Sequence, residues 1–148
     1  MCYNYRVLEI SERLGDKTLE GRAYAGLGAC ARSLGDLSEA LKWHERQLDV
    51  ALATRDKRVE AVACSNLGVV YQLLGYFDAA LKLHHAHFAV ARQIGDKAGM
   101  GKAYGNIGNA HSAMKNHDQA IKYHQQVSSS PLAHHQLPPY WCTTASGR

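Results

Sequence analysis

Residues 95–110 read GDKAGMGKAYGNIGNA, five glycines in sixteen residues with Lys102 directly behind Gly101. A phosphate-cradling loop is the first reading to weigh. It requires G-x-x-x-x-G-K-[ST], in which backbone amides hold the phosphates, the lysine reaches them and a hydroxyl binds magnesium. Gly101-Lys102 is the one Gly-Lys pair in the chain, but Asp96 stands where the first glycine belongs and Ala103 where the hydroxyl belongs. A dinucleotide fingerprint fails as well, because no strand-like run precedes these glycines. The glycines instead fall on a grid that runs through the whole chain.

Asp16-Lys17, Asp56-Lys57 and Asp96-Lys97 are 40 residues apart. The same spacing of 40 relates Leu27-Gly28, Leu67-Gly68 and Ile107-Gly108, then Ala40, Ala80 and Ala120, and then His44, His84 and His124. A period of this size means a solenoid, in which each unit buries its apolar face only against its neighbours. Each period reads as two helices. Leu19, Ala23, Leu27, Ala31 and Leu34 recur at helical spacing after the N-capping residue Asp16. Gly35-Asp36 ends that run with a turn and a new cap, and Leu37, Ala40, Leu41 and Leu48 begin the next. The register predicts helices at about 3–14, 17–34, 37–54, 57–74, 77–94, 97–114 and 117–128. No alternating strand pattern competes with it.

These residues carry a resemblance to the tetratricopeptide repeat, whose pattern is W-x2-L-G-x2-Y, then A-x3-F, then P. The first block is matched by Tyr24, Leu27, Gly28, Ala31, by Cys64, Leu67, Gly68, Tyr71 and by Tyr104, Ile107, Gly108, His111. The second is matched by Ala40/His44, Ala80/His84 and Ala120/His124, while the closing proline is absent from all three units. A longer period with a Gly-Asp turn replaces it, similar to the 40-residue repeats of Pins/LGN-type adaptors and of large multi-repeat scaffolds. The resemblance implies an all-α fold, a right-handed α-α superhelix of antiparallel helix pairs. It divides the chain into an array over 1–127 (a half repeat at 1–14, then repeats at about 15–54, 55–94 and 95–127) and a tail over 128–148. Starting on a second helix and breaking off at Ser128, the sequence is expected to be part of a longer array. The tail holds all three prolines and is expected to be flexible, with Leu137–Trp141 able to cover the open end or dock on another molecule.

A net charge of +4 without basic residues interleaved with aromatics gives no reason to expect nucleic acid. No apolar run approaches membrane-spanning length. The N-terminus lacks the layout of a signal peptide. Cys2, Cys30, Cys64 and Cys142 form no C-x-x-C pair, and Cys30 and Cys64 lie on apolar faces, so a reduced, cytoplasmic chain without disulfide or zinc is expected. Among nine histidines, His44, His84 and His124 occupy the slot where the family places a large ring, which is a packing role. His85 and His87 align with Glu45/Gln47 and Gln125/Val127 and so read as exposed; no metal or cofactor is expected, and His134-His135 in the tail offers only a weak contact. Neither a nucleophile turn nor a working carboxylate pair is visible, so no catalysis is expected.

In tetratricopeptide folds the first helix of each pair lines a concave groove. By resemblance, the groove positions here are Arg22, Gly26 and Arg32, then Asn66, Val69 and Gln72, then Lys102, Asn106 and Asn109, with Ala25, Ser65 and Gly105 among their neighbours. Asparagine amides offer paired donors and acceptors to a peptide backbone, and arginine can take a carboxylate through two bonds. Gly26 and Gly105 are expected to leave room for a chain to lie close. The expected function is a non-catalytic adaptor that binds an acidic peptide segment in this groove. By family resemblance its roles lie in cytoskeletal or mitotic organisation. The alternative is a structural spacer or a self-associating segment of a longer array.

Overall fold

The computed structural model describes residues 2–129. Seven helices follow one another: α1 (Cys2–Leu14), α2 (Lys17–Ser33), α3 (Leu37–Thr54), α4 (Lys57–Leu73), α5 (Phe77–Gln93), α6 (Lys97–Ala113) and α7 (His117–Ser128). No strand occurs among the described residues. Each helix bound lies within one residue of the sequence expectation. The expectations about His134, His135, Leu137–Trp141 and Cys142 fall outside the described residues.

The linkers explain the regular spacing. Gly35 takes φ +82° and donates to Arg32 O, while Asp36 donates to Ala31 O. This is a left-handed helix stop whose last residue also starts the next helix: the Asp36 carboxylate accepts from Glu39 N at 3.0 Å. Asp16, Asp56, Asp96 and Asn116 cap in the same way, whereas Tyr76 at the start of α5 gives no side-chain cap. The left-handed residue recurs every 20 positions, at Gly15, Gly35, Arg55, Gly75, Gly95 and Lys115. At Arg55 and Lys115 a Cβ is carried into that region, which costs each turn roughly 1 kcal/mol.

Small residues set how closely the helices pack. Ala23, Ala63 and Ala103 occupy one register position and Ala40, Ala80 and Ala120 another, and all six are buried. Gly28 lies under the His44 ring and Gly68 under the His84 ring; a Cβ at either glycine would stand 2.5 Å from the ring's Cε1. Histidine thus fills the ring slot, with His44 and His84 buried. His124 makes the matching contact to Gly108 but stays exposed, because no further described helix covers α7. Trp43 links two core clusters, one built on Leu8, Ala23, Tyr24 and Leu27 and the other on Ala31, Ala40 and Val70. Tyr24 stacks on its ring at a centroid distance of 5.8 Å.

Each helix packs on the next in sequence. In addition α4 touches both α2 and α6, while α1, α3, α5 and α7 make no such contact with one another. The second-nearest helices are therefore close on one side of the stack and apart on the other. The array curves, with α2, α4 and α6 as an inner layer and the remaining helices outside.

Candidate functional site

All nine residues singled out from the sequence lie on the inner layer: Arg22, Gly26 and Arg32 on α2, Asn66, Val69 and Gln72 on α4, and Lys102, Asn106 and Asn109 on α6. Arg22, Lys102 and Asn109 are exposed, and the other six are half-buried. Asn106 Nδ2 is buried without a hydrogen-bond partner. The space expected beside Gly26 is filled by Asn4 of α1, whose Oδ1 would stand 2.6 Å from a Cβ added there. Beside Gly105 the space is open, with nothing within 4 Å of such a Cβ. Ser65, expected along the groove, is instead buried. Cys30 also departs from expectation: it is exposed, with Asn4 Nδ2 3.8 Å from its sulfur, while Cys64 is buried and burial pushes its thiol pKa up.

Charge separates the two layers. Helices α2, α4 and α6 carry Lys17, Arg22, Arg32, Lys57, Arg58, Lys97 and Lys102 against only two acids, Glu20 and Glu60. Both acids are already paired, with Lys17 and Lys57 at 2.7 Å. The outer helices carry as many acids as cations. Asp16, Asp56 and Asp96 lie at the N-terminal edge of the inner layer, where their carboxylates accept from backbone amides. Apart from these caps, the inner helices carry an excess of positive charge.

A cavity of about 350 Å³ opens between adjacent inner helices. Arg58, Ala61, Val62 and Ser65 of α4 form one wall, and Ala98, Gly99 and Lys102 of α6, with the preceding Asp96, form the other. His87 and Ile94, from α5 and its C-terminal end, form the floor. His87 is only 4% exposed, which corrects the sequence expectation of an exposed position. Burial lowers its pKa, Lys102 pushes the same way and Asp96 opposes them. Ser65 Oγ and His87 Nδ1 are buried and have no hydrogen-bond partner among the described residues. Nothing in the repeat pattern marks this floor. The register position of His87 holds Gln47 in the preceding unit, and Gln47 is buried too because its Oε1 pairs with His44 Nδ1 at 3.1 Å.

Burial also lowers the pKa of His44, His84 and His111, that of His84 to about 4 with help from His87 and His85. These rings are neutral packing elements at pH 7. His111 lies parallel to Tyr123 at 5.5 Å. Among the described residues no group of three His, Cys, Asp or Glu side chains could hold a metal ion, and no helix is long and apolar enough to cross a membrane.

Comparison with known proteins agrees with this architecture. Two tetratricopeptide repeat family models match, one over residues 23–58 and the other over 59–130. No curated protein matches the sequence. Among solved structures, the chain is similar to the TPR domain of FLU from Arabidopsis, with a TM-score of 0.71 at 21% identity over 75% of this chain and 93% of that one. It is also similar to BtubC (BKLC) from P. vanneervenii, with a TM-score of 0.75 at 18% identity over 82% of this chain and 49% of that one. A third is the tetratricopeptide repeat STAND protein of Pyrococcus horikoshii, with a TM-score of 0.75 at 20% identity over 86% of this chain and 20% of that one. At these identities the likeness is one of fold. The chain spans about half of the second structure and a fifth of the third.

Proposed function

Because the chain belongs to the tetratricopeptide repeat family, a fold built for protein–protein interaction, we propose that it is a non-catalytic adaptor holding an acidic peptide segment along its inner layer. The observation that carries this reading is the charge asymmetry. The inner helices hold unpaired Arg22, Arg32, Arg58, Lys97 and Lys102, while the outer helices balance. A charged trough attracts a partner of opposite sign, and exposed charge pairs weaken with salt. In this reading Asn66, Asn106 and Asn109 hold the peptide backbone, since an unpartnered buried amide such as Asn106 Nδ2 gains most from an incoming carbonyl. Arg22, Arg32 and Lys102 attract its acidic side chains, and Val69 and Gln72 contact it between these anchors. A cytoplasmic setting agrees with the unpaired thiols of Cys30 and Cys64. A place in cytoskeletal or mitotic organisation rests on the resemblance to Pins/LGN-type adaptors alone.

A peptide array probed with the wild-type protein beside an Asn66→Ala/Asn106→Ala variant tests the proposal. Acidic peptides captured by the wild type should bind the variant at least tenfold more weakly, about the loss of one well-made hydrogen bond at each amide. An unchanged set of bound peptides would remove the asparagines, and the groove with them, from the binding surface.

A further inference from the structure

The inference that follows deepens the groove reading and rests on it. We propose that the cavity between α4 and α6, floored by α5, is the subsite for an internal glutamate side chain of the bound peptide, held by Ser65, His87, Arg58 and Lys102. Three features of the cavity select this chemistry: its unpartnered donors, its charge and its shape. Ser65 Oγ and His87 Nδ1 are 2% and 4% exposed as residues, belong to the cavity lining and have no partner. A hydroxyl and an imidazole can both donate, so an acceptor oxygen satisfies both at once.

Charge decides which acceptor. Arg58 and Lys102 stand against a single carboxylate, Asp96, which already accepts from Gly99 N at 2.9 Å. The cavity therefore carries an excess of one positive charge, which matches a carboxylate. A phosphorylated side chain brings about 1.5 to 2 negative charges and would leave the site over-compensated beside Asp96. Shape decides which carboxylate. Ala61, Val62, Ile94 and Ala98 provide apolar walls in about 350 Å³, suited to the methylenes of glutamate reaching down to the floor. Aspartate, shorter by one methylene, would bury less of its stem against these walls.

Backbone-amide NMR titration with N-acetyl-glutamate amide provides the test. Gly99, Ala98, Ser65 and their neighbours should shift in a saturable way. N-acetyl-glutamine amide should bind at least tenfold more weakly and N-acetyl-phosphoserine amide no better than the glutamate. Ser65→Ala and Arg58→Gln, both mild changes, should each lower glutamate affinity roughly three- to tenfold. Equal binding of glutamine, a preference for phosphoserine, or shifts that ignore both variants would each overturn the assignment. The array separates this failure from failure of the groove. Peptides lost by Asn66→Ala/Asn106→Ala, yet kept by Ser65→Ala and Arg58→Gln with no preference for glutamate, would sink the subsite and leave the groove standing.

Discussion

Gly68→Ala should destabilise the protein by roughly 1–2 kcal/mol, although alanine is the better helix former by about 1 kcal/mol. The new methyl group would stand 2.5 Å from His84 Cε1 and 2.6 Å from Nδ1. His84 is wholly buried, so its ring has no solvent side to swing toward. Close-packed interiors give way only by forcing side chains off their rotamers or by shifting helices. Gly105→Ala is the matched control, because nothing lies within 4 Å of its added methyl group, and it should raise stability by about 0.5–1 kcal/mol. The interaction is isolated by a double-mutant cycle with His84→Ala. In that background Gly68→Ala should change sign and become mildly stabilising, giving a coupling of about 2 kcal/mol. Urea midpoints read all of these directly. Additive effects of the two substitutions would mean that glycine and ring do not form the contact on which the helix pair depends.

Acid should destabilise the array well before ordinary carboxylates titrate. His84 has a folded pKa of about 4, against 6.5 for an unperturbed histidine. Unfolding frees the ring to take up a proton, so the unfolded state binds more protons below pH 6.5 and stability falls as pH falls. The contribution of His84 is fully present above about pH 7 and is lost progressively toward pH 4. Between pH 7.5 and 5 this single ring should cost about 2 kcal/mol. His44, His87 and His111 are shifted in the same direction and add to the slope. His84→Phe keeps a ring in the slot but removes the titrating nitrogens, and it should lose that share of the acid sensitivity. Urea midpoints at pH 7.5, 6.5, 5.5 and 5.0 measure the slope. A flat profile in the wild type, or an unchanged slope in His84→Phe, would contradict the neutral buried ring.

The helices were legible in the sequence because their ends are written in local chemistry. A left-handed glycine followed by an aspartate cap needs no tertiary information, and Gly35-Asp36 and Gly95-Asp96 announce it. The sequence register places Leu34, Leu74, Ile94 and Met114 as the last helical residues, whereas in the structure they are C-caps, a difference of one position. The ring slot was legible for the same reason, since its register recurs.

What escaped depends on contacts between non-equivalent positions. His87 varies to Gln47 and Val127 along the repeat, and polarity that changes from unit to unit looks like exposure. Yet Gln47 is buried because it bonds His44, and His87 is buried at the base of the cleft between α4 and α6. Gly26 looked open because only a neighbouring helix, through Asn4, closes it. Arg58 precedes every residue assigned to the groove on α4, so its part in the cavity appears only once α6 is placed beside it. The asymmetry of charge between layers likewise needs the curvature, which sorts the helices into inner and outer.

Peptide binding along the groove requires the inner layer to be the face that meets a partner. Amide chemical-shift mapping of an acidic peptide taken from the array tests this most directly. Perturbations are expected along α2, α4 and α6, strongest around Asn66, Lys102 and Asn106 and diminishing as salt is added. Perturbations confined to α3, α5 or the turns at Gly35 and Gly75, with the inner helices unmoved, would contradict it.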